Sequence, residues 1–165
     1  MIRTTFALIA GMLFTLVASA ATPTAATTAA PGDPMVPIRQ FIDGFNAGDT
    51  KTAYAAYAAG DIAIVDEFAP HRWLGRSAPM NWAADFDKHA AAFGVSGGLV
   101  KYGEPTRTEI SGKSAYVIIP TVYSYKDHGK PTVEEGQMTY VLRSGANGWK
   151  ITAWTWTGVK PHAPK

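Results

Sequence analysis

The sequence predicts an α+β domain in which helices gather on one face of an antiparallel meander. Three observations carry that reading. Apolar residues recur at helical spacing from Val36 to Phe45 and again from Trp82 to Phe93. Four long strand-like runs follow Gly98, and the turns between them carry the Gly and Asn residues that hairpins require. Helices that come first and strands that come last make an α+β order rather than an alternating α/β one.

In "MVPIRQFIDGFNAGD", Val36, Ile38, Phe41, Ile42 and Phe45 form one helical stripe. Pro37 suits a first turn, and Gly48 the position past a helix end. Asp49 is placed to cap a second helix, "TKTAYAAYAA", with Tyr54 and Tyr57 three apart on it. Gly60 stops that helix, and "IAIVDEF" begins a β-branched, alternating strand. The loop bearing Trp73 leads to Ser77, a candidate N-cap, and Pro79 sits in the first turn of a third helix. Trp82, Phe86, His89 and Phe93 make its stripe, and Gly94 with Gly97 and Gly98 ends it. Strands are expected over Leu99–Ile110, Ala115–Tyr125, Thr132–Arg143 and Trp149–Thr157, joined through "SGKS", "KDHGKP" and "SGANG".

Closing the last hairpin at "GANG" sets Leu142 opposite Ile151, Tyr140 opposite Ala153 and Met138 opposite Thr155. Val117, Ile119, Thr121 and Tyr123 then share the inner face. Trp154 and Trp156 fall on the outer face, which makes an apolar patch suited to a homodimer interface.

The 165 residues carry a formal net charge of +2 and no Lys/Arg cluster, which excludes a nucleic-acid surface. No cysteine is present, so disulfides and thiolate zinc sites are excluded. The four histidines show no metal-ligand spacing, and no metal or cofactor is expected. Residues 1–20, "MIRTTFALIAGMLFTLVASA", read as a cleavable signal peptide, with Arg3 before a short apolar run and an A-x-A end. Export to the periplasm or medium follows, with no stable membrane span after cleavage. Residues 21–34 are small, Thr- and Pro-rich and read as a flexible linker to a domain over 35–160.

"FIDGFNAGDTKTAYAAYAAGDIAIVDEF", then "LGRSA", three hairpins and "GWKITAWTW" resemble the nuclear transport factor 2-like superfamily, in its SnoaL-like branch of polyketide cyclases and ketosteroid isomerases. The resemblance covers about Val36 to Thr157. It implies a cone-shaped curved antiparallel sheet wrapped around three N-terminal-half helices, an apolar pocket at the open end, and homodimers. Twist and bulges give a long meander the same concavity on physical grounds.

Asp66 shares a strand face with Ile62 and Ile64, where apolar neighbours would raise its basicity. The resemblance places it at the general base of ketosteroid isomerases. The oxyanion donors of that chemistry correspond to Phe41 and Met138, neither of which donates usefully, so ketosteroid isomerisation is not expected. Another reaction would pair Asp66 with Tyr54, Tyr57 or Tyr123. The alternative for Asp66 is a strand-end carboxylate paired with Arg72 or Arg76, or capping the next turn. Tyr54, Tyr57, Trp73, Trp82, Phe86, Tyr123, Met138 and Tyr140 are candidates to line a cavity for a small hydrophobic molecule, or else to fill the core. His71 reads as a loop residue, while His89 lies on the third helix's stripe. Three functions are open: an exported binding protein, an enzyme of isomerase, cyclase, dehydratase or hydrolase type, and a structural module with a filled cone.

Overall fold

The computed structural model describes residues 32–165. The signal peptide and most of the linker lie outside the described residues. The linker's last residues are bound to the domain: Pro34 is buried, and the Gly32 carbonyl accepts the Trp149 indole N–H at 3.1 Å.

Helix α1 (Met35–Asn46) buries Ile38, Phe41 and Ile42. The Asp33 side chain accepts the Met35 N–H at 2.8 Å, which satisfies a donor that a helix start leaves free. Asn46, at the other end, holds both the N–H and the C=O of Val100 at 2.8 Å and pins α1 to the sheet. Helix α2 (Thr50–Ala55) is capped by Asp49 as expected, through Thr52 N at 3.0 Å. The two helices meet at Gly44, where a Cβ would lie 2.7 Å from the Ala53 backbone nitrogen.

The second helix is shorter than its sequence pattern suggests. After Ala55 the backbone turns to the sheet, with Ala58 N–H bonded to Ile151 O and Ile151 N–H to Ala56 O. These sheet-edge partners replace helical ones, and Tyr57 is drawn into the core.

Strands β1 (Ile62–Val65) and β2 (Arg72–Gly75) form an antiparallel pair, so Trp73 is in a strand and not in a loop. Four residues are too few for alternation to announce β2. Helix α3 (Ala78–Ala92) follows; Pro79 sits in its first turn, but Ser77 makes no side-chain cap. The strand expected over 99–110 is two, β3 (Val95–Tyr102) and β4 (Arg107–Ser111). Pro105, between them, cannot donate to a ladder. β3 pairs with the second half of β5 (Ser114–Asp127) and β4 with the first. β6 (Lys130–Gly145) and β7 (Gly148–Gly158) complete the meander through two-residue turns.

The sheet order is β2-β1-β7-β6-β5-β3, with β4 also on β5. β1 runs parallel to β7, so the sheet is mixed rather than wholly antiparallel. It is open and curved, with the helices on its concave side, and the α+β class stands.

One register expectation fails, and the failure moves two tryptophans. Leu142 does pair with Ile151, but a bulge leaves Thr152 unpaired. Val141 therefore meets Ala153, Tyr140 meets Trp154, and Met138 meets Trp156. Trp154 faces inward and is 3% exposed; Trp156 packs against the core. Neither is on the outer face, so neither forms the proposed interface.

Candidate functional site

Between α1, α3 and the concave face of β5, β6 and β7 lies a cavity of about 100 Å³. Helical spacing on α1 brings Phe41 and Phe45 to it, and the same spacing on α3 brings Trp82, Phe86 and His89. Strand alternation supplies Tyr123 and Tyr125 from β5, Glu134 and Met138 from β6, and Trp154 and Trp156 from β7. Asp66, Glu67 and Phe68 reach it from the end of β1. The rings pack on one another: Trp82 stacks on Phe86 at 5.6 Å and meets Trp154 edge-on at 5.1 Å.

Glycines shape two of the walls. A Cβ at Gly98 would fall 2.5 Å from the Tyr123 hydroxyl, and one at Gly136 would fall 2.9 Å from the Trp156 ring. Both aromatic groups lie where only a missing side chain leaves room.

The polar part of the lining is acidic. Asp66 accepts from Trp82 Nε1 and from the Glu67 backbone N–H, both at 2.8 Å. Burial nevertheless pushes its carboxyl above the usual range, and the Glu134 charge adds to that push. Burial and the adjoining Glu134 carboxyl hold Glu67 up at about 8. Glu134 is 3% exposed, and one of its oxygens accepts the Tyr125 hydroxyl at 2.6 Å. Burial and these carboxylates push Tyr123 up to about 12, so at neutral pH its phenol keeps its proton.

Three polar atoms of this lining are buried without a partner: the Tyr123 hydroxyl, Glu134 Oε2 and Trp156 Nε1. A buried polar group left unpaired costs about 1–3 kcal/mol, so each is a place where a bound molecule would stabilise the fold. Among the described residues, no group of three or more His, Asp or Glu side chains is disposed to hold a metal ion.

The sequence-predicted residues divide. Asp66, Trp82, Phe86, Tyr123 and Met138 all line the cavity. Asp66 makes no ion pair with Arg72 or Arg76, and it does cap the next residue. Tyr54 and Tyr57 instead border a second concavity of about 310 Å³, which shares Trp82, Phe86 and Tyr123 with the first. Tyr57 accepts the Trp154 indole N–H at 2.7 Å. Tyr140 is fully buried behind Met138, donating to its Sδ at 3.1 Å, and lines neither space. Trp73 also lines neither; it packs on Phe68 and donates to Asp85 at 3.0 Å.

Glu67, Glu134 and Tyr125 were not singled out from sequence. Glu134 carried a signal: the alternation that puts Met138 and Tyr140 inward puts an acid inward four residues earlier. Nothing local marks Glu67, which follows Asp66 just past the end of β1.

No family model matches the sequence, and no curated protein matches it. Solved structures do share its fold. A nuclear transport factor 2-like superfamily protein from Salmonella enterica aligns with a TM-score of 0.60 at 15% identity, covering 75% of this chain and 87% of that one. A ketosteroid isomerase-like protein from Erwinia carotovora gives 0.57 at 19% identity, covering 76% and 92%. A hexachlorocyclohexane dehydrochlorinase gives 0.64 at 9% identity, covering 78% and 84%. At these identities the likeness establishes fold and leaves activity to the residues.

Proposed function

We propose that this chain, which has the nuclear transport factor 2-like fold, is an exported protein that binds a compact, mainly apolar small molecule in the cavity between α1, α3 and the concave sheet. The observation that carries the reading is the trio of unpaired buried atoms on Tyr123, Glu134 and Trp156 around one aromatic-walled space. A ligand that supplies their partners would recover part of the cost of burying them. A filled cone is the poorer reading, because a filled cone has no reason to turn three such atoms toward one cavity. Native mass spectrometry of protein purified from its source compartment tests the proposal. A retained organic mass is expected. Ligand-free protein that compact ring compounds also fail to stabilise against heat would overturn it.

A second reading, proton transfer with Asp66 as base, is favoured by one observation. The Asp66 carboxyl is made more basic by burial and opens on the same cavity as the protonated Tyr123. The dehydrochlorinase and the isomerase-like protein of this fold lend it chemical precedent. It requires loss of turnover in Asp66→Asn with ligand binding retained.

The homodimer expected from sequence is proposed on different residues. Across the outer face, Tyr116, Val141, Ala153, Ala63 and Leu74 are successive cross-strand neighbours, and Ile118, Thr139, Thr155 and Val65 form the next row. Arg107, Glu109 and Arg72 end these rows with charge. An apolar centre with a charged rim suits a second copy of the chain.

A further inference from the structure

We propose that the molecule bound in this cavity is an organic cation: a protonated amine on a compact apolar frame, seated against Glu134 between aromatic faces. The inference rests on the small-molecule reading above and adds the charge of the ligand.

Charge is the first argument. Asp66, Glu67 and Glu134 all line the space, and His89 is the one basic side chain among the described residues that does so. No Lys or Arg of the described residues lines it. Glu134 is buried and Asp66 half-buried, while Glu67 stands at the exposed side. Carboxylates drawn out of water need a counter-charge or a proton, and the protein brings them no fixed cation.

Geometry is the second. Glu134 is almost wholly buried; Tyr125 occupies one of its oxygens, and Oε2 has no partner. Tyr123 stands directly across the β5–β6 ladder from Glu134, and its hydroxyl is also unpaired. An ammonium group donates to a carboxylate and to a phenol oxygen at once, so it answers both atoms. A neutral hydroxyl would satisfy Oε2 and leave the acidic charge uncompensated.

The walls are the third. Trp82, Phe86, Tyr123, Tyr125 and Trp156 present rings to the space, and ring faces attract a cation more strongly once it is desolvated. Size limits the frame. Cavities of about 150 Å³ accept benzene, so about 100 Å³ calls for a ring no larger.

Glu67 lines the same space beside Glu134, its carboxyl raised to about 8, so a cation seated there also favours loss of the Glu67 proton: protonated Glu67 plus ammonium gives the ion-paired complex and one released proton. The groups facing that pair are Asp66 from the end of β1, His89 from α3, and Tyr123 and Tyr125 from β5.

Isothermal titration of the protein with cyclopentylammonium chloride and with cyclopentanol at pH 7.5 tests the proposal. The amine is expected to bind at least about tenfold more tightly, a difference of about 1.4 kcal/mol. Heats measured in buffers of different ionisation enthalpy should show proton release with the amine alone. Glu134→Gln should erase the preference while cyclopentanol binding persists, and Glu67→Gln, at a more open position, should reduce it if the first variant does not fold. Equal or tighter binding of the alcohol overturns the cation and leaves the small-molecule reading standing. Binding of neither probe overturns both.

Discussion

Trp82 Nε1 lies 2.8 Å from the Asp66 carboxylate, and this one bond ties the second turn of α3 to the end of β1 at the cavity wall. Because Trp82 is also buried among Phe41, Phe45 and Phe86, ring and bond serve different purposes. Trp82→Phe keeps most of the packing and removes the donor. It should cost about 1–3 kcal/mol in urea unfolding, and the Asp66 carboxyl, titrated by NMR, should move further up. Asp66→Asn keeps an acceptor for Trp82 and removes a buried charge, so its stability at pH 7 should stay within about 1 kcal/mol of the parent.

How much of this was legible in the sequence follows from what kind of signal each residue leaves. Helix α1, the Asp49 cap, the hairpins and the inward faces of β5 and β6 are written in local spacing, and they fold as that spacing says. Thr152 is not. A bulge is one residue with no compositional mark, and it inverts everything after it on the strand, so Trp154 and Trp156 were assigned to the wrong face. Asp66 and Tyr123 were found because alternation aims them inward. Glu67 was missed because the alternation that carries on from Ile62 and Ile64 to Asp66 aims its neighbour outward.

The bulge itself can be removed. Deleting Thr152 would leave Ala153 opposite Val141 and Trp154 opposite Tyr140 by plain alternation, so Trp154 should stay inward against Tyr57 and Phe41. The expected outcome is a cooperative unfolding transition and a near-ultraviolet tryptophan signal that both survive the deletion. A deletion variant that loses the tryptophan signal would show that the register is not what places these rings.

Stability should depend on pH through Glu67. Its folded value, about 8, lies above the 4.5 of an ordinary glutamate. Between those values the folded protein holds a proton that the unfolded chain has released. Stability is therefore full below about pH 4.5 and declines as pH rises toward 8. Urea midpoints across that range should fall for the parent, and Glu134→Gln, which removes the neighbouring charge, should flatten the slope. The slope is the readout, since other carboxylates shift the absolute values.

Gly136 makes a sharper test of the cavity wall. A methyl group there would meet Thr157 O at 2.7 Å and the Trp156 ring at 2.9 Å, against backbone that cannot yield easily. Gly136→Ala should cost about 1–3 kcal/mol and shift the Trp156 emission as the ring is displaced. The same substitution at Gly145, where a Cβ would meet nothing, serves as the control and should be near neutral.

The outer face gives the last prediction. Trp154 is 3% exposed and bonded to Tyr57, so Trp154→Glu would bury an unpaired charge and unfold the core before it could report on any interface. Val141 is a better probe. It is 40% exposed at the centre of the outer face, with Tyr116, 37% exposed, as its direct neighbour. A carboxylate there leaves the inner core untouched and costs little in an isolated chain, because it faces water. In a dimer closed over this face it would be buried opposite its own copy, and like charges at the centre of an interface repel. Val141→Glu should therefore convert a dimer to monomer in sedimentation equilibrium with the melting midpoint of the monomer preserved. A dimer that survives both this substitution and Tyr116→Lys is held by another surface.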